Sequence, residues 1–357
     1  MAKERIVTRT ATPGESAVEG AAATRAVRAS DAYIAEIRPK RLQEYIGQKE
    51  LVERLRIAIT AAKKRGDAME HVLLHGPPGL GKTTIAHVIA EEMGSRAFVT
   101  SGPALTKAGD LVGTLTKMHA NDVLFIDEIH RLPAAVEEYI YPAMEDRRID
   151  FTLDSGMHAK VVTLNLEPFT MIGATTRAGL LTNALRSRFG IAHHLEFYNE
   201  ADLQRILQRA TGILSMTGVD ADALAAIACR SRGTPRIAIR LLRRVRDYAQ
   251  VMGTGHCTAD SVMKALALEG VDPLGLDELD RKYLRVIAQT YGGGPVGLEA
   301  IAATLADDAA TLEDAIEPYL LQLGFLARTR QGRCLTKSAC EYLGVEFKGE
   351  SLLGGLS

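Results

Sequence analysis

Residues Gly76–Thr83 read GPPGLGKT and fit the phosphate-binding pattern G-x-x-x-x-G-K-[ST]. The apolar run Val72–Leu74 precedes them and a helical pattern follows from Thr84, so strand, loop and helix come in the required order. In such a loop, glycines let backbone N–H groups turn toward phosphate oxygens, Lys82 adds a positive charge, and the Thr83 hydroxyl is a ligand for Mg²⁺. The stretch therefore predicts binding of a nucleoside triphosphate.

A second apolar run, Val123–Ile126, ends in the carboxylates Asp127 and Glu128. A parallel strand buried on both faces is apolar throughout, so charged groups can meet a ligand only where the strand ends. Asp127 is predicted to hold Mg²⁺ through water, and Glu128 to polarise the water that attacks the γ-phosphate. Together the two motifs predict hydrolysis of the nucleotide.

Length and composition set the class of protein. A chain of 357 residues predicts two or three domains, and 46% hydrophobic with 24% charged residues is typical of a soluble globular protein. The net charge of -1 gives no global reason to expect nucleic acid or membrane binding. The four cysteines lack disulfide or zinc spacing, and no run approaches the ~18 apolar residues of a membrane span. We therefore expect a cytoplasmic protein with no membrane contact.

The order of patterns along the chain predicts a mainly parallel α/β sheet followed by helices. Apolar strands at Phe98–Thr100 and Thr170–Ala174 alternate with helical segments, and a hairpin is predicted at 149–166. That hairpin either covers the sheet edge or docks a partner. Helical periodicity dominates after Asn199, and a last hairpin around 329–332 predicts a winged helix. The predicted boundaries are a tail at 1–30, an ATPase domain at 31–198, a helical lid at 199–270, a winged helix at 271–345 and a tail at 346–357.

Two further polar positions are candidates for the catalytic site. Thr176 follows the strand at Thr170–Ala174, where its hydroxyl either orients the attacking water or caps a helix. Arg188 and Arg186 stand farther along at the end of a short helix. An arginine there either neutralises charge on the transferring phosphoryl group, as an arginine finger does, or is solvated surface charge.

Seven motifs together resemble the RuvB family of bacterial Holliday-junction branch-migration ATPases, in the AAA+ superfamily. They are Arg38–Lys40, GPPGLGKTT from Gly76, Leu124–Leu132, Tyr141–Asp146, Gly173–Arg177, Gly233–Arg236 and Gly293–Leu298. The resemblance covers roughly residues 31 to 345, leaving only the tails unmatched. It implies an AAA+ P-loop core with a helical lid and a C-terminal winged helix. It also implies ATP hydrolysis by a ring, a hexamer, that moves on duplex DNA and drives branch migration in recombination and repair.

The resemblance also implies roles for single residues. Arg188 would be the finger that acts on the neighbouring subunit, Thr176 the first sensor, and Arg236 a second sensor that reaches the γ-phosphate from the lid. The implied nucleotide contacts are Ile37, Arg38, Gly79, Gly81, Lys82, Thr83, Thr84, Glu145, Asp146, Arg147, Tyr198 and Arg236. The hairpin would dock the junction-binding protein RuvA, and the resolvase RuvC is a further expected partner.

The predicted wing carries Arg328, Arg330, Arg333 and Lys337 with no acidic residue between them. Such a cluster gives DNA affinity without sequence preference, as a translocating motor requires. The family's wing arginines map to Arg328 and Arg333, whereas another DNA-contacting arginine of some relatives would fall at 307–309, where this chain has none.

Two other classes of AAA+ protein compete with a junction motor. An origin initiator also joins an AAA+ core to a winged helix, but it would footprint one specific duplex and turn over ATP slowly. A clamp-loader-type remodeller is the other alternative, although the hairpin predicted near 324–336 does not match its C-terminal helical collar.

Overall fold

The computed structural model of the chain describes residues 36–152, 161–253 and 255–347. The chain divides into two compact units, Met1–Arg38 and Pro39–Ser357, and the elements below belong to the second. The predicted N-terminal tail, most of the predicted C-terminal tail and the tip of the inserted hairpin at 153–160 lie outside the described residues.

A parallel sheet with helices around it forms the first domain. Its strands and the inserted hairpin are β1 Val72–His75, β2 Ala97–Ser101, β3 Val123–Asp127, β4 Arg148–Thr152, β5 Val161–Asn165, β6 Thr170–Thr175 and β7 Ile191–His194. The described sheet has the order β2-β3-β6-β1-β7, and all its pairs are parallel. The central strands are apolar because helices cover both faces. The α/β class is therefore confirmed, and β7, which the sequence did not predict, forms one edge.

The helices of this domain bury apolar faces against the sheet. They are α1 Lys49–Arg65, α2 Lys82–Met93, α3 Ala108–Leu115, α4 Ala134–Glu145 and α5 Asn183–Arg186. Ile140 of α4 packs into the same core as Leu124 and Ile126 of β3, and all three are fully buried. This packing fixes β3, and with it the carboxylates at its end.

The hairpin predicted between β3 and β6 is present. β4 and β5 pair antiparallel, with Ile149 opposite Leu164 and Asp150 opposite Thr163. Ile149 is fully buried in the core of the first domain, so the base of the hairpin is anchored.

The described residues of the lid form four helices: α6 Glu200–Ile213, α7 Ala221–Cys229, α8 Pro235–Met252 and α9 Ala259–Leu268. Pro235 is well suited to the first turn of α8, where a backbone N–H has no helical acceptor. Leu241, Leu242 and Val245 are buried on one face of α8. Among the described residues, no helix is both long and apolar enough to cross a membrane.

The last domain is a small helical core closed by a two-stranded wing. Its elements are α10 Glu278–Gln289, α11 Leu298–Leu305, α12 Ala309–Thr311, a π-helical stretch Leu312–Ile316, α13 Glu317–Gln322, β8 Leu326–Thr329, β9 Gly332–Leu335 and α14 Lys337–Leu343. Tyr283, Leu284 and Leu320 are buried together in its core. The wing pairs Arg328 with Arg333 across its two strands, so the predicted winged helix is confirmed.

Candidate functional site

The phosphate-binding loop leaves the end of β1 in a conformation that depends on glycine. Gly76, Gly79 and Gly81 have φ of 136°, 82° and 96°, in the region that side chains with a Cβ disfavour. Gly81 caps the start of α2, so the first residues of that helix carry backbone N–H groups without helical acceptors. The loop and the helix dipole together favour an anion at this point.

Lys82, the first residue of α2, is a buried cation at the centre of the loop. Its ammonium donates to the carbonyls of Gly76 at 2.8 Å and Pro77 at 2.9 Å. Burial lowers the pKa of Lys82, and the nearby Asp127 and Glu128 carboxylates partly oppose that shift. The structure thus brings the loop lysine and both acidic residues into one electrostatic environment.

Glu128 and Thr176 face each other across neighbouring strands. β3 pairs with β6, so the residues that follow the two strands lie side by side. Thr176 Oγ1 donates to Glu128 Oε2 at 3.3 Å, while Asp127 Oδ1 accepts from the Glu128 backbone N–H at 3.0 Å. Glu128 itself has φ of 48°, a conformation that turns the chain at the strand end. The hydroxyl is therefore placed to orient the glutamate, whereas the helix-cap alternative has no support among these contacts.

His130 completes this cluster, and the sequence reasoning gave it no role. Its Nδ1 lies 2.8 Å from Thr175 Oγ1 and 3.2 Å from Glu128 Oε2. Burial lowers the pKa of His130, which favours the neutral imidazole near pH 7. Its position two residues after Glu128, in the short turn Ile129–Arg131, was the signal that could have identified it.

Arg236 brings the lid against the phosphate-binding loop. Its backbone N–H donates to the Gly79 carbonyl at 3.4 Å. A Cβ added to Gly79 would lie 3.2 Å from the Arg236 Cβ, so a side chain there would crowd the lid, and the positive φ of Gly79 also disfavours one. The predicted second-sensor arginine and the loop are therefore neighbours within one protomer.

Tyr198, at the end of the first domain, contacts the same loop. Its hydroxyl donates to the Leu80 carbonyl at 3.4 Å and lies 3.1 Å from the Tyr45 hydroxyl. Burial raises the pKa of Tyr198 to about 12, so both tyrosines remain neutral hydrogen-bonding groups. Tyr45 was not among the predicted residues, because the contact joins positions far apart in sequence. Ile37 and Arg38 belong to the first compact unit, and their adenine or ribose contacts stay predictions.

Arg188 lies at the opposite end of the sheet from the phosphate-binding loop. Ile191, three residues after Arg188, pairs with Val72 at the start of β1, whereas the loop leaves the end of β1 after His75. Four residues of strand separate the two ends by about 13 Å. Arg188 instead pairs with Glu145 at 3.2 Å and stacks over the Tyr141 ring, 4.4 Å from its centroid.

Glu145 and Arg147 accompany Arg188 at this end. Arg147 has φ of 54° just beyond the end of α4 and lines a cavity together with Arg188 and His71. Asp146 pairs with Arg148 at 3.3 Å rather than with the finger candidate. Arg188, Glu145 and Arg147, which are predicted to meet a neighbouring subunit, are thus brought together. Asp146, the fourth such residue, lies between Glu145 and Arg147 in sequence.

The wing arginines are bound to acidic residues of the preceding helix. Glu317 is fully buried, and it accepts from Arg328 Nε at 2.7 Å and from Arg333 Nε at 2.8 Å. Tyr283 donates to the same carboxylate at 2.6 Å, and hydrogen bonds from Arg333 and Tyr283 hold the pKa of Glu317 low against its burial. Glu313 lies 3.5 Å from Arg333 and 3.7 Å from Arg328.

Three family models match successive parts of the chain. The RuvB P-loop domain matches residues 37–195, the RuvB AAA lid domain 198–272 and the RuvB C-terminal winged-helix domain 273–344. A curated relative, the Holliday junction branch migration complex subunit RuvB of Desulfosudis oleivorans, is 54% identical over 313 residues, 88% of this chain and 91% of that protein. The chain belongs to the RuvB family.

Solved structures of the RuvB family share the fold. Thermotoga maritima RuvB, described as a Holliday junction branch migration motor, is 50% identical with a TM-score of 0.79, covering 87% of this chain and 99% of that one. A mutant form of the same protein gives a TM-score of 0.81 with the same identity and coverage. The predicted family and architecture are therefore confirmed, while the roles of single residues stay predictions.

Two cations of the predicted basic wing are paired with acidic residues, and DNA binding by the wing stays a prediction. Glu313 and Glu317 balance Arg328 and Arg333, and the pattern of the wing did not reveal them because both residues precede it in sequence. Lys337 lies 4.0 Å from Glu341. Arg330, exposed at the turn of the wing, has no ion pair within the described ranges.

We expect Arg330→Ala to weaken DNA binding uniformly across duplex sequences, because it removes a cation that no carboxylate balances. The slope of log Kd against the logarithm of the salt concentration should fall by the contribution of about one phosphate contact. Fluorescence anisotropy of unrelated duplexes at several salt concentrations measures both effects. Lys337→Ala, which removes a cation already near Glu341, is the control. An unchanged salt slope in Arg330→Ala would remove the residue from the DNA surface.

Proposed function

We propose that this chain is an ATP-driven DNA motor that assembles as a ring on duplex DNA and drives branch migration of Holliday junctions. The observation that carries the proposal is the separation of Arg188 from the loop around Lys82, at opposite ends of parallel strands. A finger so placed can complete only a neighbour's site. Membership of the RuvB family supports the same activity.

The residues at the strand ends fit ATP and Mg²⁺. The loop glycines hold positive φ, Lys82 is a buried cation, and Asp127 lies near enough to act on its charge. Mg²⁺ bound there supplies positive charge to the phosphates. Thr83 and Asp127 would hold the metal ion. The groups that would hold the nucleotide are Ile37, Arg38, Gly79, Gly81, Lys82, Thr83, Thr84, Tyr198 and Arg236.

Hydrolysis would depend on how Glu128 is held. Thr176 donates to Glu128 Oε2, and His130 lies against the same oxygen, so the carboxylate has one supported orientation. In that orientation Glu128 acts on the attacking water as the catalytic base. Arg236 approaches from the lid, so closure of the lid on the loop would bring its positive charge to the γ-phosphate.

The groups that stand away from the loop support assembly into a ring. Arg188 of one protomer would neutralise charge on the neighbour's transferring phosphoryl group, and Glu145, Asp146 and Arg147 would border the same interface. In the single protomer the Arg188–Glu145 pair holds the guanidinium at this surface. A closed ring, a hexamer, supplies every site with one finger.

The partners are those of a junction motor acting in a bacterial cytoplasm. Duplex DNA and Holliday junctions would contact the wing, and RuvA would dock on the hairpin of β4 and β5, with RuvC joining the complex. Only the base of that hairpin lies among the described residues, so the docking surface rests on the family likeness.

A junction-migration assay tests this function. A synthetic four-way junction, labelled on one arm, should be converted to duplex products when the chain, ATP and a purified RuvA protein are combined. A non-hydrolysable ATP analogue should leave the junction intact. A footprint on one specific duplex with no movement of junctions would instead indicate an initiator.

A further inference from the structure

Arg177 stands directly after the sensor candidate Thr176 and belongs to its hydrogen-bond cluster. The Arg177 backbone N–H donates to Thr175 Oγ1 at 3.0 Å, and that hydroxyl lies 2.8 Å from His130 Nδ1. His130 in turn contacts Glu128. A shift of the Arg177 backbone would therefore be felt by the groups that hold the catalytic glutamate.

The side chain of Arg177 leaves this cluster and crosses to the winged helix. Its Nε donates to Asp314 Oδ1 at 2.9 Å, and its Nη2 lies 3.0 Å from Glu313 Oε2. The three side chains are between 31% and 39% exposed, so water screens them less than it screens a surface pair. The contact is a direct polar link between the ATPase domain and the DNA-binding domain of the same protomer.

Glu313 is shared between this link and the wing. One carboxylate oxygen faces Arg177, while the other lies near Arg333 and Arg328. Glu313 and Asp314 belong to the π-helical stretch Leu312–Ile316, a form of helix that is rare and often found at functional sites. Polar contacts thus run without a break from Glu128 to the two wing arginines.

We propose that Arg177 is a positioning residue through which DNA at the wing raises ATP turnover at Glu128. Phosphates that bind Arg328 and Arg333 compete with Glu313 for these cations. Glu313 is then left to Arg177, which holds Thr175 and Thr176 in the arrangement that supports Glu128. Differential pairing of one carboxylate supplies the two states that such coupling requires. The inference rests on the proposed function, since it assigns a route for DNA stimulation of the motor.

The stimulation ratio tests this route: ATP turnover at saturating duplex DNA divided by turnover of the same variant without DNA. Arg177→Gln and Glu313→Gln should each lower the ratio by roughly twofold to thirtyfold, the range for changes within a coupled network. The double variant should lose no more than the more damaged single variant, because both act on one link. Arg177→Lys keeps the charge and should recover part of the ratio.

Arg285→Gln, which changes an exposed arginine of α10 with no ion pair in the described part of the chain, is the matched control and should keep the wild-type ratio. Thermal unfolding confirms that each variant is folded. If DNA stimulates the wild type but Arg177→Gln keeps the full ratio, the coupling is overturned while the proposed function stands. The same holds if the losses of the two single variants multiply in the double variant. A wild type that neither responds to DNA nor moves junctions would overturn the proposed function with it.

Discussion

Replacement of Arg188 by alanine should abolish ATP turnover while leaving nucleotide affinity within about twofold of wild type. Arginine fingers contribute roughly 10³ to 10⁵ in rate by neutralising charge on the transferring phosphoryl oxygens. In this fold the guanidinium stands beyond the start of β7, away from the loop of its own protomer. Nucleotide binding should therefore survive. Steady-state phosphate release and titration with a fluorescent ATP analogue measure the two quantities.

Arg186→Ala provides a matched control for the finger. Arg186 is exposed at the end of α5 and makes no ion pair in the part of the chain that the structure describes. Its removal should leave turnover within about twofold of wild type, as expected for solvated surface charge. Equal losses in the two variants would mean that the region needs positive charge in general rather than one finger.

Replacement of Arg232 by methionine should destabilise the junction of lid and winged helix by about 3 to 5 kcal/mol, because it leaves a buried carboxylate unpaired. Arg232 Nη1 donates to Asp280 Oδ1 at 3.3 Å, and Nη2 lies 2.9 Å from Asp277. Asp280 is fully buried. Urea unfolding followed by circular dichroism measures the change. Arg54→Met, which breaks an exposed pair with Glu50, should cost less than about 1 kcal/mol.

The loss in Arg232→Met should also depend on pH. Burial raises the pKa of Asp280 to about 7 although the charge of Arg232 lowers it, so removal of Arg232 should raise that pKa further. A group with a raised folded-state pKa loses its contribution to stability as pH rises toward that pKa, and the variant, with the higher pKa, goes on losing stability above about pH 7, where the wild type holds the ionised carboxylate beside Arg232. The deficit should therefore be smaller near about pH 5 than near about pH 8. An equal deficit at both pH values would contradict a buried, unpaired Asp280.

Local patterns predicted the parts of the site that a strand end or a loop defines. Asp127 ends one apolar run and the loop that leads to Lys82 follows another, and the parallel sheet necessarily brings such strand ends to one edge. The edge strand β7 escaped prediction because Ile191–His194 is only four residues long and reads IAHH, two apolar residues followed by two histidines, with neither an apolar run nor alternation. Tyr45 escaped because its partner Tyr198 is distant in sequence, whereas His130 stands close to Glu128 in sequence and only its contact with Thr175 depends on the folded sheet.

The wing shows the same limit of local sequence patterns, here in predicting which charges are exposed. Four basic residues in a short stretch predicted a basic wing, yet Glu317 precedes that stretch on α13 and accepts from two of them. A helix that folds back on a hairpin places acids beside bases that sequence spacing keeps apart. Charge counted along a segment therefore predicts its surface only where no neighbouring element packs against it.

Mixed assemblies test most directly whether each site is completed by its neighbour. In the proposed mechanism, Glu128→Gln subunits keep the finger but lack the catalytic base, and Arg188→Ala subunits keep the base but lack the finger. Mixed in equal amounts, the two inactive variants should regain up to about a quarter of wild-type turnover, as random pairing at head-to-tail interfaces allows. A mixture no more active than the separate variants, under conditions where both enter the same assemblies, would contradict the account.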